Sequence, residues 1–126
     1  MSATLVLRQP LVVLHLDDRV VVVDKPPGLL VHKTRTGSDE DALLQRLRDQ
    51  LGRRLYPVQR LDRMASGLIA YGLDSRAARE LQAGLQAADA VKEYLVLARG
   101  ACPLHFESRA PLIDDKNVAR EAHSEF

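Results

Sequence analysis

Gln59-Arg60-Leu61-Asp62-Arg63-Met64-Ala65-Ser66-Gly67-Leu68-Ile69-Ala70-Tyr71 sets one carboxylate between two guanidinium side chains, then a small-residue turn, then an apolar run. A carboxylate among cations is expected to stay ionised at neutral pH, because nearby opposite charge favours its charged form. It is then available as a nucleophile or as an electrostatic anchor. Taken alone, Arg60 to Arg63 also suits a solvated surface, where an exposed ion pair contributes about 0–1 kcal/mol. The order of the surrounding features argues for more. Tyr56-Pro57 forms a proline-led turn before the stretch, and Ser66-Gly67 leads into the strand-like run Leu68 to Tyr71.

Upstream, Leu11 to Leu16 reads as a strand, Asp17-Asp18 as a turn, and Arg19 to Val23 as a second strand whose β-branched run suits cover on both faces. Asp24-Lys25-Pro26-Pro27-Gly28 stops that strand, since two prolines remove ladder donors and Gly28 permits a sharp turn. Leu29 to His32 then resumes an extended course. A helix is expected to open at Ser38, a good N-cap followed by three carboxylates that complement its dipole. Leu43, Leu44, Leu47 and Leu51 recur at helical spacing, and Gly52 ends the run.

Downstream, a second helix starts at Asp74 or Ser75, with Ala78, Leu81 and Leu85 on its apolar face. Val91 to Arg99 alternates as a strand, with Lys92, Tyr94, Val96 and Ala98 on one face. Beyond Gly100 the pattern reads as loop. This order of elements predicts an α+β fold over residues 1–126: one domain with a mixed, largely antiparallel sheet and helices packed on one side.

The 126 residues suit a single domain, and a hydrophobic content of 46% is ample for a core, so the chain is not a disordered tail. A formal charge of +1 says little about partners. A local stripe says more, and Arg46, Arg48, Arg53, Arg54, Arg60 and Arg63 crowd the middle of the chain. The lone Cys102 excludes an internal disulfide and offers no metal-ligand spacing. With no signal-peptide pattern and no apolar run of about 18 residues, a cytoplasmic protein without membrane contact is expected.

The stretch around Asp62 resembles the signature H-R-L-D-x-x-T-S-G-[LIV]-[LIV] of the pseudouridine synthases of the RluA-like superfamily. Asp24-Lys25-Pro26-Pro27-Gly28 resembles the N/D-K-P-x-G turn of the same proteins, Lys92-Glu93-Tyr94-Leu95-Val96 their K-x-Y-x-[AV] block, and Pro111-Leu112-Ile113 their P-[IL] segment. Within the superfamily, Leu29-Leu30-Val31-His32-Lys33 and the short N-terminus are most similar to the branch containing tRNA pseudouridine synthase C. Gln59 stands where His is usual and Ala65 where Thr is usual. The family's later G-R-x-H-Q-[IL]-R-x-H block, whose basic residue pairs with the catalytic aspartate, is missing. The chain therefore resembles the N-terminal half of a catalytic domain.

That resemblance implies an enzyme that isomerises a uridine of a tRNA or rRNA stem-loop without metal or redox cofactor. It implies Asp62 as the nucleophile, adding covalently or abstracting a sugar proton. It implies Tyr94 as the second catalytic residue, stacked on the target base with its phenol helping to remove a proton from the ring carbon. Arg60, Arg63, Lys25, Lys92 and His32 are the implied RNA contacts. A rival reading is a catalytically inactive remnant that keeps part of the RNA-binding surface. A glycosidase-like hydrolase is disfavoured, because paired catalytic carboxylates are not evident. Half a sheet is also expected to leave an open edge, and with it a tendency to self-associate.

Overall fold

The computed structural model describes residues 9–32, 42–114 and 116–126. The chain divides into two units, Met1–Val91 and Lys92–Phe126.

The first unit holds strands β1 (Val12–Leu16) and β2 (Val20–Lys25), helix α1 (Leu43–Leu51), strands β3 (Tyr56–Pro57) and β4 (Gly67–Gly72), and helix α2 (Ser75–Gln86). The strands form one sheet in the order β1-β2-β4-β3, and every neighbouring pair is antiparallel. The α+β class is as expected. Pro57 lies on the edge strand β3, where its missing N–H is tolerated.

The hairpin turn is built by Asp17. Its Oδ1 accepts the amides of Arg19 and Val20, both at 2.7 Å, and its own N–H donates to the Val20 carbonyl. In β2 the valine run alternates. Val21, Val23 and Lys25 are buried, while Val20 and Val22 are half-buried, so one face is fully covered and the other only in part. Register places Val21 opposite Tyr71 and Val23 opposite Ile69. These four side chains, with Leu43 and Leu47 of α1 and Leu55, are fully or almost fully buried and make the centre of the core. Each such burial contributes roughly 1.5–3 kcal/mol.

Helix α1 begins at Leu43, and its N-cap Ala42 has no side-chain cap. The expected start at Ser38 lies outside the described residues. The first orphan amides are met instead by backbone: Leu43 N–H donates to the Leu30 carbonyl at 2.7 Å, and Leu44 N–H to the Val31 carbonyl at 3.2 Å. Leu29 to His32 is thus a capping coil rather than a strand. Gly52 ends α1 with φ 61°, as expected. Helix α2 is capped by Asp74, whose Oδ1 accepts the Ala77 amide at 2.7 Å. It approaches β4 closely: a Cβ at Gly72 would lie 2.5 Å from the Ala78 nitrogen, so only glycine fits.

The second unit is two short antiparallel ribbons, β5 (Glu107–Ser108) with β8 (Ser124–Glu125) and β6 (Leu112–Ile113) with β7 (Ala119–Arg120). The Phe106 and Phe126 rings stack at 4.6 Å. This corrects the expectation of loop beyond Gly100. The strand expected from Val91 to Arg99 is also corrected. Residues 91–99 have no strand structure, and Leu95 and Leu97 are fully exposed at 104% and 101%. Alternation supplies two faces, but a strand needs a ladder partner for its backbone, and among the described residues none pairs with it.

Candidate functional site

Asp62 stands on the loop that joins β3 to β4. Gln59 closes the neck of this loop, its Nε2 donating to the Leu68 carbonyl at 3.1 Å. A donor there has a structural use that needs no titrating imidazole. The Asp62 carbonyl accepts the Ala65 amide at 3.1 Å, which folds the loop back on itself. The Asp62 side chain is exposed.

The floor of the loop is fastened to the Asp24–Gly28 turn. Gly28 N–H donates to the Arg63 carbonyl at 2.8 Å, and Arg63 Nε donates to the Gly28 carbonyl at 3.0 Å. Lys25 Nζ reaches the same Arg63 carbonyl at 2.9 Å, along with the carbonyls of Pro26 at 2.9 Å and Leu29 at 2.7 Å. Local sequence explains the arrangement. Lys25 follows Val21 and Val23 on the buried face of β2, so the strand's period of two turns it inward.

A buried ammonium is costly unless hydrogen-bonded, and three carbonyls match its three protons. Lys25 is 0% exposed, and desolvation pushes its pKa below the ordinary value. Lys25 was expected at the RNA surface; buried and saturated by backbone, it braces the Asp62 loop from beneath.

The guanidinium cradle read from Arg60-Leu61-Asp62-Arg63 is corrected as well. Among the described residues no ion pair joins Asp62 to either arginine, and Arg63 points its Nε at Gly28. Several central arginines are likewise engaged by the fold. Arg46 donates to the Gln9 carbonyl and Arg48 to the Leu55 carbonyl, while Arg54 lies 5.2 Å over the Tyr56 ring. The exposed Arg60 guanidinium makes no hydrogen bond or ion pair among the described residues.

His32 is half-buried, and burial pushes its pKa below the ordinary value, aided by the nearby charges of Arg60 and Arg48. The structure therefore brings Lys25, Arg63 and the Asp62 loop together, and sets His32 within the field of Arg60. Lys92 and Tyr94 belong to the second unit and are exposed there, Tyr94 at 68%.

Sequence reading missed two groups. Arg48 Nε and Tyr71 Oη are buried without hydrogen-bond partners among the described residues, each costing about 1–3 kcal/mol. Burial also pushes the Tyr71 phenol pKa up. The only sequence signal for Tyr71 was its place in the alternation of β4, and Arg48 in α1 gave none.

Residues 19–125 match the family model described as RNA pseudouridylate synthase. The chain is 36% identical over 89 residues to tRNA pseudouridine synthase C of Haemophilus ducreyi, covering 70% of this chain and 37% of that protein. It is 37% identical over 89 residues to the protein of that name from Pasteurella multocida, with the same coverage. Among solved structures it is similar to human RNA pseudouridylate synthase domain containing 4, at 30% identity and a TM-score of 0.44, over 56% of this chain and 28% of that one. The chain thus spans little more than a third of the length of these curated relatives. With its family match running from Arg19 almost to the last residue, the chain belongs to the RNA pseudouridylate synthase family.

Proposed function

We propose that the chain serves RNA pseudouridylation, the isomerisation of a uridine in a tRNA or rRNA stem-loop, with Asp62 as nucleophile. The observation that carries this reading is the Asp62 loop, closed at its neck by Gln59 and fastened to the Asp24–Gly28 turn with its carboxylate left exposed. A group that attacks a ribose must be held firmly while remaining open to substrate. The name of the bacterial relatives favours tRNA over rRNA.

In this reading Arg60, Arg63, His32 and Lys92 contact RNA, and Tyr94 stacks on the target base, which the enzyme must first unstack. Lys25 supports the loop from within. The reaction needs no metal or redox cofactor. Among the described residues no helix is long and apolar enough to cross a membrane, and RNA modification accords with a cytoplasmic setting.

Tritium release from RNA labelled at the uracil C5 position tests the assignment. Wild type is expected to release label and Asp62→Asn is not; equal release from both would refute it. Free uracil as product would instead indicate a hydrolase.

A second reading is an inactive remnant that retains RNA-binding surface. It is favoured by the segment around Leu95 and Leu97, which has no strand partner among the described residues. RNA binding without label release would select it.

A further inference from the structure

We propose that His32, Arg48 and Arg60 together form a subsite for one backbone phosphate of the RNA, beside the Asp62 loop. This rests on the RNA-modifying reading above and adds a ligand position to it.

Three segments of the first unit bring these groups together. The Val31 carbonyl takes the Leu44 amide at 3.2 Å, which fastens the neighbouring His32 to the first turn of α1. Arg48 lies one turn further along the same face, four residues after Leu44. Its Nη2 holds the Leu55 carbonyl at 2.8 Å, immediately before β3, the strand that leads to Arg60.

Neither Arg48 nor Arg60 has a carboxylate partner among the described residues, and Arg48 Nε has no acceptor. Arg48 also lines a cavity of about 200 Å³ with Ala42, Leu44 and Gln45. Among the described residues, the fold thus gathers guanidinium charge that no ion pair meets. Burial is the main opponent of His32 protonation, and the charges of Arg60 and Arg48 add to it, which sets both within electrostatic reach of the imidazole. Among the described residues, they are the charged neighbours set against that imidazole.

A phosphodiester answers each of these features. Its charge is spread over oxygens that accept from guanidinium forks. Its approach would also reverse the electrostatic penalty on an imidazolium.

Fluorescence anisotropy of the full chain with a labelled, uridine-containing RNA stem-loop, read across a salt series, tests the proposal. Arg48→Gln, Arg60→Gln and His32→Gln are each expected to weaken binding about tenfold, as loss of a charge-assisted hydrogen bond does. Arg48→Gln and Arg60→Gln, which remove a fixed charge, should also flatten the salt dependence by about 0.7 in logarithmic slope. Arg48→Lys should keep most of that slope, and the exposed α2 variant Arg79→Gln should behave as wild type. In a second arm, NMR titration of His32 should show its pKa rising when inorganic phosphate is added.

Wild-type affinity in His32→Gln, together with wild-type affinity and slope in Arg60→Gln, would overturn the subsite while leaving RNA binding intact. An unchanged His32 titration would do the same, even if Arg48→Gln fails to fold. Polyglutamate bound as tightly as RNA would overturn the choice of phosphate. Failure of the wild type to bind any RNA would refute the broader reading instead.

Discussion

Gly28 and Arg63 hold each other twice, 35 residues apart: the Gly28 amide donates to the Arg63 carbonyl at 2.8 Å, and Arg63 Nε donates to the Gly28 carbonyl at 3.0 Å. The exchange links the proline-rich turn after β2 to the residue next to Asp62. It depends on Gly28 keeping φ at 85°, in the left-handed region. Gly28→Ala has room for its methyl but not the backbone conformation. It is expected to destabilise the protein by about 1–2 kcal/mol in urea unfolding, and to slow label release beyond any change in RNA affinity. An unaltered unfolding midpoint would contradict the role given to this turn.

Lys25 is the other tie on the same loop, and its replacement separates a bracing role from a surface one. Lys25→Met keeps the volume but strands the carbonyls of Pro26, Leu29 and Arg63 without their shared donor. A loss of about 1–3 kcal/mol is expected, and high salt should not mimic it, because the group is fully buried. An RNA-facing lysine would behave in the opposite way, losing affinity in a salt-dependent manner with stability intact.

Tyr71 carries a hydroxyl with no partner among the described residues. Tyr71→Phe removes a desolvated polar atom and leaves the ring against Val21 and its neighbours. Stability should hold or rise, by at most about 1–3 kcal/mol, as read from thermal unfolding. A clear loss would mean that the phenol has a hydrogen-bond partner after all.

His32 makes stability depend on pH. Its ordinary value is 6.5, and burial with the charges of Arg60 and Arg48 lowers it in the folded chain. Between the two values the unfolded chain binds a proton that the folded chain refuses, so stability falls as the pH drops below 6.5. Asp17, held down to about 2 first by its hydrogen bond with His15 and then by the Arg19 and Val20 amides, stays ionised across that window. Urea midpoints compared between wild type and His32→Gln should therefore converge on acidification. Parallel curves would exclude the effect.

The segment around Leu95 and Leu97 predicts association. Both side chains are fully exposed, and among the described residues the backbone between Val91 and Arg99 has no ladder partner. Sedimentation velocity on residues 1–126 should show concentration-dependent self-association, relieved by the double substitution Leu95→Lys with Leu97→Lys. A monodisperse species at every concentration would refute it.

Local chemistry made much of this molecule legible from its residues. The Asp17 turn, the valine strand, the Gly52 stop and the start of α2 at Ser75 each depend on neighbours within a few positions, and each appears where expected. The family motifs marked the Asp62 loop for the same reason, since they are contiguous. What lay beyond such reading were relations across the chain.

Lys25 became a brace because its register in β2 points into the core, where a distant loop offers a carbonyl. Helix α1 is capped by the carbonyls of Leu30 and Val31 rather than by a side chain. Arg63 turned to Gly28 instead of Asp62, and Arg48 found Leu55. The alternating run after Val91 formed no strand at all. Sequence by itself determined the alternation of β2, the Asp17 turn, the Gly52 stop and the identity of the chemistry-bearing groups, because those follow from short-range geometry. Only the tertiary structure decided which cations are buried and which face outward, because a charged side chain's place depends on the backbone groups that distant segments bring within its reach.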